Sequence, residues 1–122
     1  MLGEILIDKQ FCGPPESGNG GYTCGRLAQY IEGASEITLR LPPPLNVALE
    51  VHGDPAERLT LMNGDQLIAE AKPALVELDI AAAPSIEDAT AASKHYTGFN
   101  ELPFPTCFVC GPKRDPGDGL RL

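Results

Sequence analysis

Apolar residues along this chain recur at two periods, and the period of two dominates. In EITLRL, Ile37, Leu39 and Leu41 are separated by Thr38 and Arg40, and in NVALEV, Val47, Leu49 and Val51 are separated by Ala48 and Glu50, so each segment predicts a strand with one buried face. RLTLM and DQLIAEA flank Asn63-Gly64, a pair that tolerates the positive φ angles of a two-residue hairpin turn. ALVELDI, after Pro73, predicts a further strand with Leu75, Glu77 and Asp79 opposite Val76, Leu78 and Ile80. EILIDKQF, residues 4–11, predicts a strand at the start of the chain. Pro42-Pro43-Pro44 lacks the amide hydrogens that a central ladder needs and reads as an extended edge or a bend.

The helical period is confined to two places. Within YTCGRLAQYIEG, Cys24, Leu27, Ala28 and Ile31 fall at i, i+3, i+4 and i+7, with Gly33 as the stop. In PSIEDATAASKHY, Ser85 is placed to cap a short alanine-rich helix, with Asp88 three residues on. From Thr97 the chain turns rich in proline and glycine and loses its period. The organisation expected is therefore a domain over residues 1–96 and a linker or tail over 97–122. One helix with small residues wrapped by an antiparallel sheet gives an α+β class.

A length of 122 residues supplies a real core without disulfide or metal staples. The formal charge of −8 disfavours nucleic acid and anionic membranes as partners. No apolar run reaches the roughly 18 residues of a membrane span, and MLGEILIDKQF lacks the basic region and apolar stretch of a signal peptide, so a cytoplasmic location is expected. Cys12, Cys24, Cys107 and Cys110 are too few and too uneven for a secreted disulfide framework and are read as thiols.

The stretch ESGNGGYTCGRLAQYIEG places Gly18, Gly20, Gly21, Gly25 and Gly33 in and around a helix, although glycine weakens helices. A ligand or another backbone must come close here. NGGYTCGRLAQYIEG followed by EITLRLPPPL resembles the N-terminal half of the hotdog-fold acyl-CoA thioesterase-like proteins. PTCFVCGPKRDPGDGLRL is similar to the segment that opens a hotdog domain of that kind. The resemblance spans nearly the whole chain and implies an antiparallel sheet wrapped around a central helix. It also implies that a second hotdog domain would start where the chain stops.

By the same resemblance, a thioester of coenzyme A or of acyl carrier protein would meet the helix start, where unpaired amides at the positive end of the dipole stabilise a carbonyl oxygen that becomes negative. Gly21 and Tyr22 would be the amide donors, Gly20 would keep the approach open, and Asn19 would lie near the carbonyl or cap the helix. The plainer alternative is that Asn19 or Ser17 only caps and the glycines only permit packing. Relatives carry a helix carboxylate about seven residues on, which activates water or attacks the carbonyl. Ala28 and Gln29 occupy that place, and only Gln29 could orient a water.

Asp8 and Glu16 are the nearest acids, but their spacing marks neither as a base, which leaves a partner subunit or second domain to supply one. The function expected is thioester hydrolysis, with a non-catalytic module for acyl binding or subunit assembly as the alternative. A homo-oligomer is expected because a lone domain of this kind exposes a sheet edge and a helix flank.

Other groups give weaker signals. Cys107-x-x-Cys110-Gly is half of a zinc knuckle with no second pair, and neither metal nor cofactor is expected. A redox role is disfavoured because the pair lies in a proline-rich tail and not at a helix start. His52 and His95 have no nucleophilic partner that sequence nominates, and none of Arg40, Lys72, Lys113, Arg114 and Arg121 is assigned to a phosphate.

Overall fold

The computed structural model describes the backbone of residues 1–122 and every side chain except that of Phe99. Five strands, β1 (Gly3–Leu6), β2 (Ser35–Leu39), β3 (Ala48–Asp54), β4 (Arg58–Asn63) and β5 (Gln66–Pro73), form one sheet in the order β1-β3-β4-β5-β2 with every neighbouring pair antiparallel. The helix α1 (Gly20–Ala28) is inserted between β1 and β2, the two edge strands, and lies on one face of the sheet. The class is α+β.

Alternation decides which face that is. Ile5, Leu49, Val51, Leu59, Leu61, Ala69 and Ala71 share the helix-facing side and are at most 2 % exposed. Burying each Leu, Ile or Val contributes about 1.5–3 kcal/mol. Between them, Leu27 and Ile31 complete the core from the helix side. The opposite face is polar: Glu70 receives Arg40 at 2.7 Å and also pairs with Arg58, while Lys72 meets Glu36 at 3.0 Å. Arg40 and Lys72 thus have carboxylate partners within the sheet.

Several elements differ from the pattern-based expectation. β1 stops at Leu6, and Lys9–Phe11 form a 3-10 turn capped by the Asp8 side chain, which accepts from the Gln10 amide at 3.0 Å. α1 starts two residues before Tyr22 and ends at Ala28, after which Tyr30 and Ile31 donate to Leu27 and Ala28 in a tighter turn. Its buried stripe runs through Thr23, Leu27 and Ile31, with Cys24 and Ala28 only half-buried. Thr23 fits there because its hydroxyl donates to the Asn19 carbonyl at 2.9 Å.

The β4–β5 hairpin forms as expected but turns one residue later. Asn63 pairs with Gln66, so the loop is Gly64-Asp65, with Gly64 at φ +56°. The strand expected in ALVELDI is absent. Ala74 makes one last sheet-like bond to Ala34, 3.0 Å, and beyond it β2 and β4 offer no further backbone to pair with. Leu75, Val76, Leu78 and Ile80 are then 92, 63, 75 and 88 % exposed. Helix α2 (Ile86–Ser93) follows, capped by Ser85 as its sequence predicts, and it buries none of its residues.

Candidate functional site at the start of α1

The glycine-rich loop folds back on itself before the helix begins. Cys12 and Gly18 form an isolated bridge, Gly18 donates to Pro43 at 2.8 Å, and Asn19 donates its amide to Phe11 at 2.8 Å. These bonds fix Asn19 as the N-cap, its side-chain oxygen accepting from the Tyr22 amide at 2.9 Å. That bond corrects one expectation. Tyr22 is not an open donor, because Asn19 occupies it. The two amides at the helix start without a hydrogen-bond partner among the described residues are those of Gly20 and Gly21.

The glycines divide into two groups. A β-carbon on Gly18 would come within 3.0–3.2 Å of Ile7, Pro43 and Thr23, and one on Gly20 would come 3.0 Å from Leu39, so both serve packing. A β-carbon on Gly21 would meet nothing closer than the Asn19 oxygen at 3.4 Å, and one on Gly25 would meet nothing within 4 Å. Both residues are exposed. Internal packing accounts for neither.

Gln29 is the exposed C-cap of α1, about 15 Å along the axis from Asn19 at the rise of an α-helix. The geometry therefore brings together Asn19, Gly20, Gly21 and Tyr22 and leaves Gln29 at the other end of the helix. The first turn holds no acidic residue, and Asp8 is engaged in capping its own turn.

The second wall of the site comes from residues whose role the sequence did not reveal. Phe108 donates its amide to the Cys12 carbonyl at 2.8 Å and its ring meets Phe11 and Tyr22 edge-on, at 4.9 and 6.0 Å, while those two rings stack at 4.0 Å. Arg114 ties this segment down: it donates to Thr106 and Asp118 backbone oxygens at 2.8 and 2.7 Å, lies over the Phe108 ring, and has a side chain only 7 % exposed. Cys107 is 6 % exposed, with the Asn19 side-chain amide donating to its sulfur at 3.5 Å. Cys107 and Phe108 are thus seated on the helix start, with Thr106 and Arg114 against Cys12 beside it. The signal that marks this is the turn chemistry of Cys-x-x-Cys-Gly: the Gly111 amide bonds the Cys107 carbonyl at 2.8 Å, and a β-carbon there would strike that carbonyl at 2.5 Å.

Burial by itself pushes the Cys107 thiol up. The hydrogen bonds it accepts from the Cys110 and Val109 amides, the Cys110 thiol and Asn19 outweigh that and hold it below the ordinary thiol range. Cys110 moves the other way, chiefly because its proton is the one donated to Cys107, then through burial and the Cys107 charge. Burial also raises Cys24. No group of three or more His, Cys, Asp or Glu suited to a metal exists among the described residues. His52 bonds Glu50 at 2.8 Å on the outer sheet face, away from the helix. No helix among the described residues is long and apolar enough to cross a membrane. Comparison of the chain with protein families, curated proteins and solved structures returns no match.

Proposed function

We propose that this chain is a hotdog-type domain that binds an acyl thioester of coenzyme A or acyl carrier protein, polarises its carbonyl at the start of α1 and so promotes hydrolysis. The observation that carries the reading is the pair of unbonded amides at Gly20 and Gly21, held at the positive end of α1 by the Asn19 cap. Free N–H donors at a helix start are what a developing oxyanion requires, and each such donor is worth roughly a hundredfold or more in rate. Gly21 is exposed, and only the Asn19 oxygen would lie near a β-carbon there, so an acyl group can approach. The strand order β1-β3-β4-β5-β2 with the helix between the first two strands supports the hotdog assignment. In this reading two copies join through the exposed edge of β2 and the Gly25 flank of α1, and the second copy supplies the base that Ala28 and Gln29 cannot.

One observation favours a second reading, acyl binding without turnover: α1 carries no carboxylate at all. Both are tested by hydrolysis of short, medium and long acyl-CoAs, reading released thiol alongside the mass in solution. Gly21→Val introduces no internal clash beyond ordinary contact with Asn19. It is expected to abolish release while the protein stays folded and self-associated. Undiminished release from this variant would remove the site from α1, and binding without release by the wild type would establish the second reading.

A further inference from the structure

We infer that Cys107 and Cys110 form a peroxide-reactive dithiol, with Cys107 the sulfur that is attacked by oxidant and Cys110 the one that resolves it into a reversible disulfide. The inference does not depend on thioester chemistry. It stands on the way the tail is built. The Gly111 amide closes on the Cys107 carbonyl at 2.8 Å and so holds Cys107 and Cys110 within one tight turn. Cys107 in addition receives the Asn19 amide and is seated beside the N-terminus of α1, surroundings that favour a thiolate. Its partner Cys110 is more exposed and keeps the proton.

Burial selects the oxidant. A sulfur in a residue only 6 % exposed is out of reach of a bulky disulfide, whereas hydrogen peroxide is scarcely larger than water. The chemistry balances with peroxide alone. The Cys107 thiolate attacks one peroxide oxygen, the O–O bond breaks, and the departing hydroxide takes up the proton that Cys107 had released, leaving a sulfenic acid and one water. Cys110 sulfur then attacks the sulfenic sulfur, the S–O bond breaks, and the hydroxyl leaves with the Cys110 proton as a second water. Two thiols are oxidised to one disulfide and one peroxide is reduced to two waters.

The remaining thiols lack this arrangement. Cys12 is buried, donates to the Thr106 carbonyl at 3.4 Å and faces Arg114 at 3.8 Å. Cys24 is half-buried on α1, and burial disfavours its thiolate. They are internal references in the same molecule. Asn19 also links the pair to the helix start, since one end of its amide caps Tyr22 and the other reaches Cys107, so oxidation alters what holds the cap.

The test exposes the full chain to hydrogen peroxide, quenches with an alkylating agent, and maps the four thiols by mass. The expected result is a peptide carrying both Cys107 and Cys110 that is lighter by two hydrogens and unalkylated, formed about tenfold or more faster than Cys24 is lost, and restored by a thiol reductant. In Cys110→Ser, Cys107 is expected to stop at the sulfenic acid and be captured by dimedone, a readout that a merely structural thiol would not give. Loss of Cys24 as fast as the pair, a disulfide joining Cys12 to either, or dimedone capture absent from Cys110→Ser with the wild-type pair unreactive would overturn the inference.

Discussion

β5 and the segment that follows it carry nearly the same pattern and meet opposite fates. In β5, Ala69 and Ala71 alternate with Glu70 and Lys72, and the apolar members are at most 2 % exposed. In residues 75–80 the side chains are larger and more apolar, yet Leu75 and Ile80 are 92 and 88 % exposed. The difference is not propensity. β5 has β4 on one side and β2 on the other, whereas the later segment has outrun both neighbours. Period two in a sequence identifies residues fit for a pleated surface, and only the ladder decides whether a surface is there to receive them. The same contrast extends to the helices: α1 buries Thr23 and Leu27, and α2 buries nothing.

The largest expected effect sharpens this contrast directly. Leu61→Ala removes a side chain with no exposure from the centre of the core and is expected to cost about 3 kcal/mol, read as a fall in the denaturant midpoint at constant slope. Leu78→Ala, at 75 % exposure, is expected to change stability by less than about 0.5 kcal/mol. Equal losses from the two would mean that residues 75–80 are covered in solution, most simply by a second copy.

Much of the body was legible in the sequence, because there the local pattern and the tertiary contacts agree. The strands around Ile37, Leu49 and Leu61, the β4–β5 hairpin, one residue from its expected turn, and the Ser85 cap all rest on contacts between near neighbours or on simple alternation. The helix start at Asn19 was legible as a cap for the same reason. What the pattern left hidden lies at long range. Phe108 reaches Cys12 across the length of the domain, and Arg114 bonds Thr106 while facing Cys12. Proline and glycine in 97–122 mark turns, and turn residues do not reveal what a turn packs on. The stripe of α1 keeps Leu27 and Ile31 but takes Thr23 in place of Cys24, because Thr23, polar by type, becomes buriable once its hydroxyl bonds the Asn19 carbonyl.

A matched pair of caps gives an intermediate effect. Asn19→Ala removes the oxygen that holds the Tyr22 amide and the group that reaches Cys107, at an expected cost of about 1 kcal/mol of global stability. Ser85→Ala removes the equivalent bond to the Asp88 amide, 3.1 Å, but α2 supports no buried residue. Its expected outcome is faster amide exchange confined to α2 with an unchanged global midpoint. A global loss from Ser85→Ala would show that α2 is packed against something in solution.

The smallest effect concerns pH and belongs to the body alone, since residues 74–96 contain no cysteine. Burial raises the folded Cys24 thiol above its ordinary value of 9.0, so the native state holds that proton more tightly than the unfolded chain does. The resulting stabilisation is fully present below pH 9 and is lost as pH rises through the folded value, because the unfolded chain then binds fewer protons than the native state. Cys107, held down by its hydrogen bonds, acts in the opposite sense, so the sum over all thiols does not isolate Cys24. The comparison with Cys24→Ala does. Any stability advantage of the wild type over this variant is expected to shrink as pH is raised above 9 in denaturant titrations, and an advantage that is flat or growing there would mean that α1 does not keep Cys24 sheltered from water.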